Sequence, residues 1–311
     1  MAALLALGAA LGWGSSDYAA GVASRRSHPM SVVLLAHLLS ALALLCVLLA
    51  VGTGVAGADD LALGAAAGLG GGLGALLLFR GLAIGQMGVV APITAAGAAV
   101  IPVGYGLVTG DALGRLTIVG VGVALVAVGL ISGVDLAALR RTPAAVGAGA
   151  RPLSPILPAP AGSSIGLGAA FGAVARRPGV LDALGSGVGF GAFFVLLSRT
   201  SEDAGLWPLV SARGMSVVAM VAVAVATGVQ IAQDRDARVH TVVAGVLDAV
   251  AAALFLLASR DANLAVVSVL ASLYPLATAG LARLIDHEQL SRLQLAGIGL
   301  AGVAVALISI G

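Results

Sequence analysis

Two acids in this chain stand where a charge is costly. Asp17 lies in the segment GWGSSDY and Asp248 in AGVLDAV, each well inside an apolar run. Ionisable groups in such runs are rare and mark proton, ion or substrate handling. At helical spacing Trp13, Ser16, Asp17 and Ala20 share one face, giving a polar stripe with an aromatic wall. One reading is a carboxyl that takes a proton or the cationic group of a solute. The other is a hydrogen-bonded acid that fixes a helix contact, and both stay open for each residue. His37 and Arg213 also fall inside apolar runs. They are candidate anion ligands or partners for the acids, and equally structural groups that pair with carbonyls.

A second set of candidates gathers around proline. Pro92 and Pro102 interrupt one apolar run, and Pro275 interrupts another, preceded by Ser268, Ser272 and Tyr274. A proline frees a carbonyl and bends a helix, and such breaks often border transporter sites. Ser272 and Tyr274 are therefore weaker candidates for a cavity wall, with Pro275 in support. Trp13 and Phe190 are candidates to line or gate the same cavity, with core packing as the alternative. Arg80 and Arg260 stand at the ends of apolar runs and read as snorkelling anchors.

Other chemistries find no support. The sequence holds no P-loop and no Ser/His/Asp or Cys/His set, so no enzymatic activity and no cofactor are expected. Cys46 is the only cysteine, and the four histidines show no metal-ligand spacing. The glycine string Gly68–Gly74 lacks the preceding strand that a dinucleotide loop needs.

The elements that must position these residues follow from composition. The chain is 60% hydrophobic and 10% charged, against roughly 25% charged in soluble domains. Its 16 basic residues are all arginine and sit mostly at the ends of apolar runs, which argues against a nucleic-acid surface. Spans are expected at about 3–23, 31–53, 61–79, 87–108 and 116–134, then 180–198, 206–228, 241–258, 263–285 and 293–310. Backbone groups cannot go unpaired in hydrocarbon, so these runs should be helices. The first run has a counterpart later in the chain and is read as a retained helix, not a signal peptide.

The counterpart is part of a duplication. Shifted by 177 residues, Leu4, Ala6, Leu7, Gly8, Gly12 and Gly14 fall on Leu181, Ala183, Leu184, Gly185, Gly189 and Gly191. Between Leu107–Ser132 and Leu284–Ser309, 13 of 26 residues are identical, including Arg115 and Arg292. The predicted organisation is a first five-helix repeat at 1–134, a Pro- and Arg-containing linker at 135–177, and a second repeat at 178–311. An odd number of spans per copy forces opposite orientations, and inverted repeats are a construction of secondary transporters. Asp17 then faces Phe194, and Asp248 faces Gly71, so each acid is unmatched.

Segments 12–26 (GWGSSDYAAGVASRR), 89–93 (VVAPI) and 265–308 resemble EamA-type members of the drug/metabolite transporter superfamily. The turn before the last helix of each repeat, Gly110-Asp111-Ala112-Leu113 and His287-Glu288-Gln289-Leu290, keeps an acid and a leucine of the Gly-Glu-Arg-Leu pattern in such proteins. The resemblance implies an all-α integral membrane protein of ten transmembrane helices in two inverted five-helix repeats. It also implies a central cavity lined mainly by helices 1, 3, 4, 6, 8 and 9.

The expected function is a secondary transporter, an exporter of a small organic metabolite such as an amino acid, working by alternating access, with proton coupling through the acids. Its partners would be that solute, protons and membrane lipids, in the plasma membrane, as a monomer or dimer. The alternatives are a non-transporting membrane scaffold and a lipid-handling or flipping protein. The arginine count places both termini outside, whereas the resemblance implies cytoplasmic termini.

Overall fold

The computed structural model describes residues 1–51, 56–85, 87–110, 114–131, 179–285 and 292–310. The expected linker at 135–177 and most of the two acid-leucine turns lie outside the described residues. Among these residues the structure is all helical. The first group is α1 (Ala2–Ser24), α2 (Pro29–Val51), α3 (Ala58–Ile84), α4 (Met87–Thr109) and α5 (Arg115–Ile131). The second is α6 (Val180–Ser198), α7 (Trp207–Thr227), α8 (Arg235–Asp261), α9 (Leu264–Ala271), α10 (Pro275–Ile285) and α11 (Arg292–Ile310).

Among the described residues seven segments are long and apolar enough to cross a membrane: α2, α3, most of α4, α6, α7, α8, and α9 with α10 taken together. The 23 residues of α1 are long enough, but the polar stretch Gly12–Tyr18 lowers their hydropathy. Among the described residues α5 and α11 give shorter apolar stretches, at Arg115–Ala127 and Leu295–Ala304.

The packing is that of a protein dissolved in lipid. Large side chains such as Leu4, Leu42, Leu49, Val225 and Val250 point outwards, while Ala6, Ala20, Ala67, Ala212 and Ala252 are fully buried. Small residues let helix axes approach closely where lipid supplies no hydrophobic drive between helices. The Gly68–Gly74 string shows this. A methyl group on Gly68 would overlap the Ala212 carbonyl, so α3 and α7 touch backbone to backbone there. Hydroxyls add bonds at these crossings: Ser186 Oγ donates to Gly74 O (2.7 Å), Ser211 Oγ to Leu61 O (2.7 Å) and Thr94 Oγ1 to Ala183 O (3.2 Å).

The most extensive helix contacts run between the two groups, not within them. These are α1 with α8, α5 with α11, and α3 with both α6 and α7. Helix bounds also recur at the 177-residue shift: α3 and α8 are each 27 residues long and coincide end to end.

Contacts at the helix ends give their directions. Arg26, just after α1, pairs with Asp236 in the first turn of α8 (2.8 Å). Asp60, at the start of α3, accepts from the Ser201 amide and hydroxyl (2.7 Å each). Arg260, near the end of α8, donates to the Ser201 and Gly205 carbonyls (3.1 and 2.8 Å). The start of α3 thus lies beside the end of α8, and these matched helices run in opposite directions. Arg260 serves as a loop staple, correcting its reading as a snorkelling anchor. Arg80 remains exposed, 3.7 Å from Asp182.

The two proline-containing spans, both expected from the sequence to be interrupted though not identically, differ in that only one is broken. Helix α4 runs unbroken through Pro92 and Pro102. The ninth span is broken: α9 ends at Ala271, and Ser272–Tyr274 form turns before Pro275 opens α10. Leu273 N and Tyr274 N bond to carbonyls three residues back (3.2 Å each), tightening the chain just where the proline cannot donate.

Candidate functional site

A cavity of about 610 Å³, its mouth included, lies on the seam between the two helix groups. Its interior is narrow, with room for about three waters. Trp13, Ser16 and Asp17 of α1, Ala36 and His37 of α2, Gly71, Ala75 and Phe79 of α3, and Ala98 of α4 line one part. Phe190, Phe193 and Phe194 of α6, Arg213 of α7, Asp248 of α8 and Tyr274 in the broken ninth span complete it.

The local sequence places these groups. On α1 the helical spacing turns Ser16 and Asp17 inwards together, leaving them 4% and 8% exposed. Gly14 fits the same helix against the break: a Cβ there would overlap the Tyr274 carbonyl. Thr278 Oγ1 donates to Gly14 O (3.0 Å) and locks that contact. Ser16 Oγ donates to Ala244 O (2.9 Å), joining α1 to α8. Tyr274 donates its hydroxyl to Ala91 O (3.1 Å), tying the break to α4.

At the centre is a paired acid. Asp248 Oδ1 accepts from Arg213 Nη2 (2.8 Å) and from the Trp13 indole (3.2 Å). Arg213 is 3% exposed, and its guanidinium also lies over the Phe193 ring, 5.2 Å from the centroid. His37 Nδ1 and Ser216 Oγ are 2.6 Å apart. Asp17 lies within electrostatic range of Asp248 and Tyr274, but makes no hydrogen bond or ion pair to another described residue. An aromatic cluster backs the site: Phe194 stacks on Phe255 at 4.3 Å, and Trp13 packs 5.4 Å from Phe194 and 5.5 Å from Phe255.

The structure therefore brings together Trp13, Ser16, Asp17, His37, Phe190, Arg213, Asp248 and Tyr274 from the sequence candidates. Ser272 and Pro275 stand apart from the lining; Ser272 is buried at the break with its hydroxyl unpartnered. Sequence reasoning did not single out Phe193, Phe79, Ala75, Ala36 or Ala98 as wall residues. The repeat alignment carried a signal for some: Phe193 is the counterpart of Ser16 and Ala36 of Arg213. Helices α2 and α7 also line the cavity, beyond the helices the resemblance implied.

The helices long and apolar enough to cross a membrane define a multi-pass membrane protein. The EamA-like transporter family matches residues 1–133 and, a second time, 177–310. The chain belongs to that family, within the drug/metabolite transporter superfamily. A solved crystal structure of a protein is similar over 99% of this chain and 98% of its own, with a TM-score of 0.71 and 14% identity, a likeness of fold. No curated protein matches the chain in sequence.

Proposed function

We propose that this protein is a secondary transporter of a small organic solute, moving it by alternating access of two inverted five-span halves. The observation that carries the reading is the cavity itself, buried on the seam and holding two carboxyls against one guanidinium. Ten spans are counted by including α1, α5 and α11 and taking α9 with α10 as one. The matched bounds and opposite directions of α3 and α8 support inversion. Inverted halves can exchange conformations, so that the seam opens to one side and then to the other.

With the imidazole neutral, ionisation of both acids leaves the lining one negative charge in excess. A proton or a cationic solute group removes it, which links Asp17 to coupling. In this reading Arg213 holds Asp248 in place, and Asp17 is the group that exchanges its partner. The broken ninth span supplies the bend about which the wall moves. Export from the cell across the plasma membrane is the direction we assign.

The test is flux in proteoliposomes with an imposed pH gradient, across a metabolite panel, for the native chain and for Asp17→Asn and Asp248→Asn. We expect gradient-driven flux that Asp17→Asn uncouples. Retention of gradient dependence in both variants would remove proton coupling. Absence of flux for every solute would point instead to the scaffold.

The lipid-handling reading has one observation in its favour. A groove of about 710 Å³ opens beside the break, lined by Leu7, Ala10, Leu11, Leu273, Leu276, Ala277, Ala301 and Gly302. Headgroup movement of a labelled phospholipid in the same vesicles separates the two.

A further inference from the structure

We propose, resting on the transporter reading above, that the cavity selects small organic amines that carry an apolar or aromatic portion and no carboxylate. The charges decide the first part. A zwitterion or an anion needs a cation in the wall, and the Arg213 guanidinium is already paired with Asp248. Its Nη2 is on Asp248 (2.8 Å), its face lies over Phe193, and its Nε is buried without a partner among the described residues, while the group still forms part of the lining. A solute carboxylate would have to share that guanidinium with Asp248, in a lining that already carries one negative charge in excess when both acids are ionised. An ammonium group meets the opposite situation. The Asp17 carboxyl reaches the cavity and no described residue donates to it. The other titratable groups facing it are His37, held on Ser216, and Tyr274, which donates to the Ala91 carbonyl.

The wall decides the second part. The pairs related by the 177-residue shift place Phe193 and Phe194 where the other half has Ser16 and Asp17, and Phe190 where it has Trp13. At these matched positions α1 presents a hydroxyl and a carboxyl where α6 presents two aromatic rings, although the scaffold is the same. An amine at Asp17 sets its apolar remainder against the phenylalanines, where ring faces also favour a cation. In this state the interior has room for about three waters, so the wall must open for such an amine to enter fully, and bulkier amines are excluded.

Four probes sharing one skeleton test this: 2-phenylethylamine, phenylalanine, 3-phenylpropanoate and 2-phenylethanol, with butylamine as the aliphatic amine. Binding to the full-length protein in nanodiscs is read from indole fluorescence in a Trp207→Phe background, which leaves Trp13 as the reporter. We expect 2-phenylethylamine to bind most tightly, with phenylalanine and 3-phenylpropanoate at least about tenfold weaker, the scale of one charge-assisted contact. Asp17→Asn should abolish the preference for the amine over the alcohol, and Asp17→Glu should restore part of it. Phe190→Ala should weaken 2-phenylethylamine more than butylamine.

Tighter binding of phenylalanine or 3-phenylpropanoate, or an amine preference that survives Asp17→Asn in a folded protein, would overturn the proposal. Flux of some other solute with no amine bound would overturn this substrate class and leave transport standing. Tight amine binding without flux of any solute would support the recognition chemistry and overturn the transporter reading instead.

Discussion

Asp248 receives two donors on one oxygen, and its other oxygen, Oδ2, is buried without a partner. Breaking a buried pair by removing one member leaves an uncompensated charge and typically costs about 3–5 kcal/mol, whereas replacing both with apolar groups is often close to neutral. Arg213→Met is therefore expected to destabilise the protein strongly, and Arg213→Met with Asp248→Leu to recover most of the loss. Chemical unfolding of the three forms in mixed micelles checks this; equal losses for single and double variants would show that the pair does not act as a unit. The acids are legible in the sequence because a charge inside an apolar run stands out without knowledge of its neighbours. Arg213 is readable as a candidate partner, but not which acid it meets, since Arg213 and Asp248 lie 35 residues apart and come together where α7 and α8 both pack against α2. Phe79, Phe193 and Phe194 were hidden for a different reason. In a chain whose spans are apolar throughout, nothing local separates a cavity-facing ring from a core ring.

At the scale of helices, two features control the site. The crossing of α3 and α7 depends on Gly68, where a side chain would meet the Ala212 carbonyl. Overpacking a tight contact costs about 1–3 kcal/mol, so Gly68→Val should lower the melting temperature, and an unchanged transition would mean that the helices separate freely. The break at Ser272–Tyr274 should behave otherwise. Pro275→Ala restores a donor to the ninth span and should leave stability unchanged or raised while slowing turnover, measured as initial flux; a rate equal to that of the native chain would exclude the break as a moving part. Proline content alone did not separate this span from α4, because a proline can be absorbed as a bend or can end a helix. Which occurs here depends on tertiary contacts, including the Tyr274 hydroxyl on α4 and Thr278 on α1. The same break explains why Ser272, two residues from Tyr274, stands apart from the cavity lining.

For the whole molecule, the repeat was readable because the shift preserves helix ends as well as residues. What it did not reveal is how completely the halves interleave. The largest contacts of α1, α3 and α5 are all with helices of the other half, so neither half has an independent core. Residues 1–131 expressed alone should not yield a folded species, whereas co-expression with 179–311 should restore a complex that co-purifies. Recovery of a stable, monodisperse first half by itself would contradict this. The unmatched acids have a further consequence for a carrier built this way. If both halves carried the same side chains, the two open states would be interchangeable by rotation, and the solute would meet identical sites from either face. Asp17 opposite Phe194 and Asp248 opposite Gly71 remove that equivalence. On the alternating-access reading, the half-saturating concentrations on the two faces are then expected to differ. At zero gradient the ratio of maximal rate to half-saturation must still be equal in both directions, so tighter capture on one face goes with slower maximal flux from it.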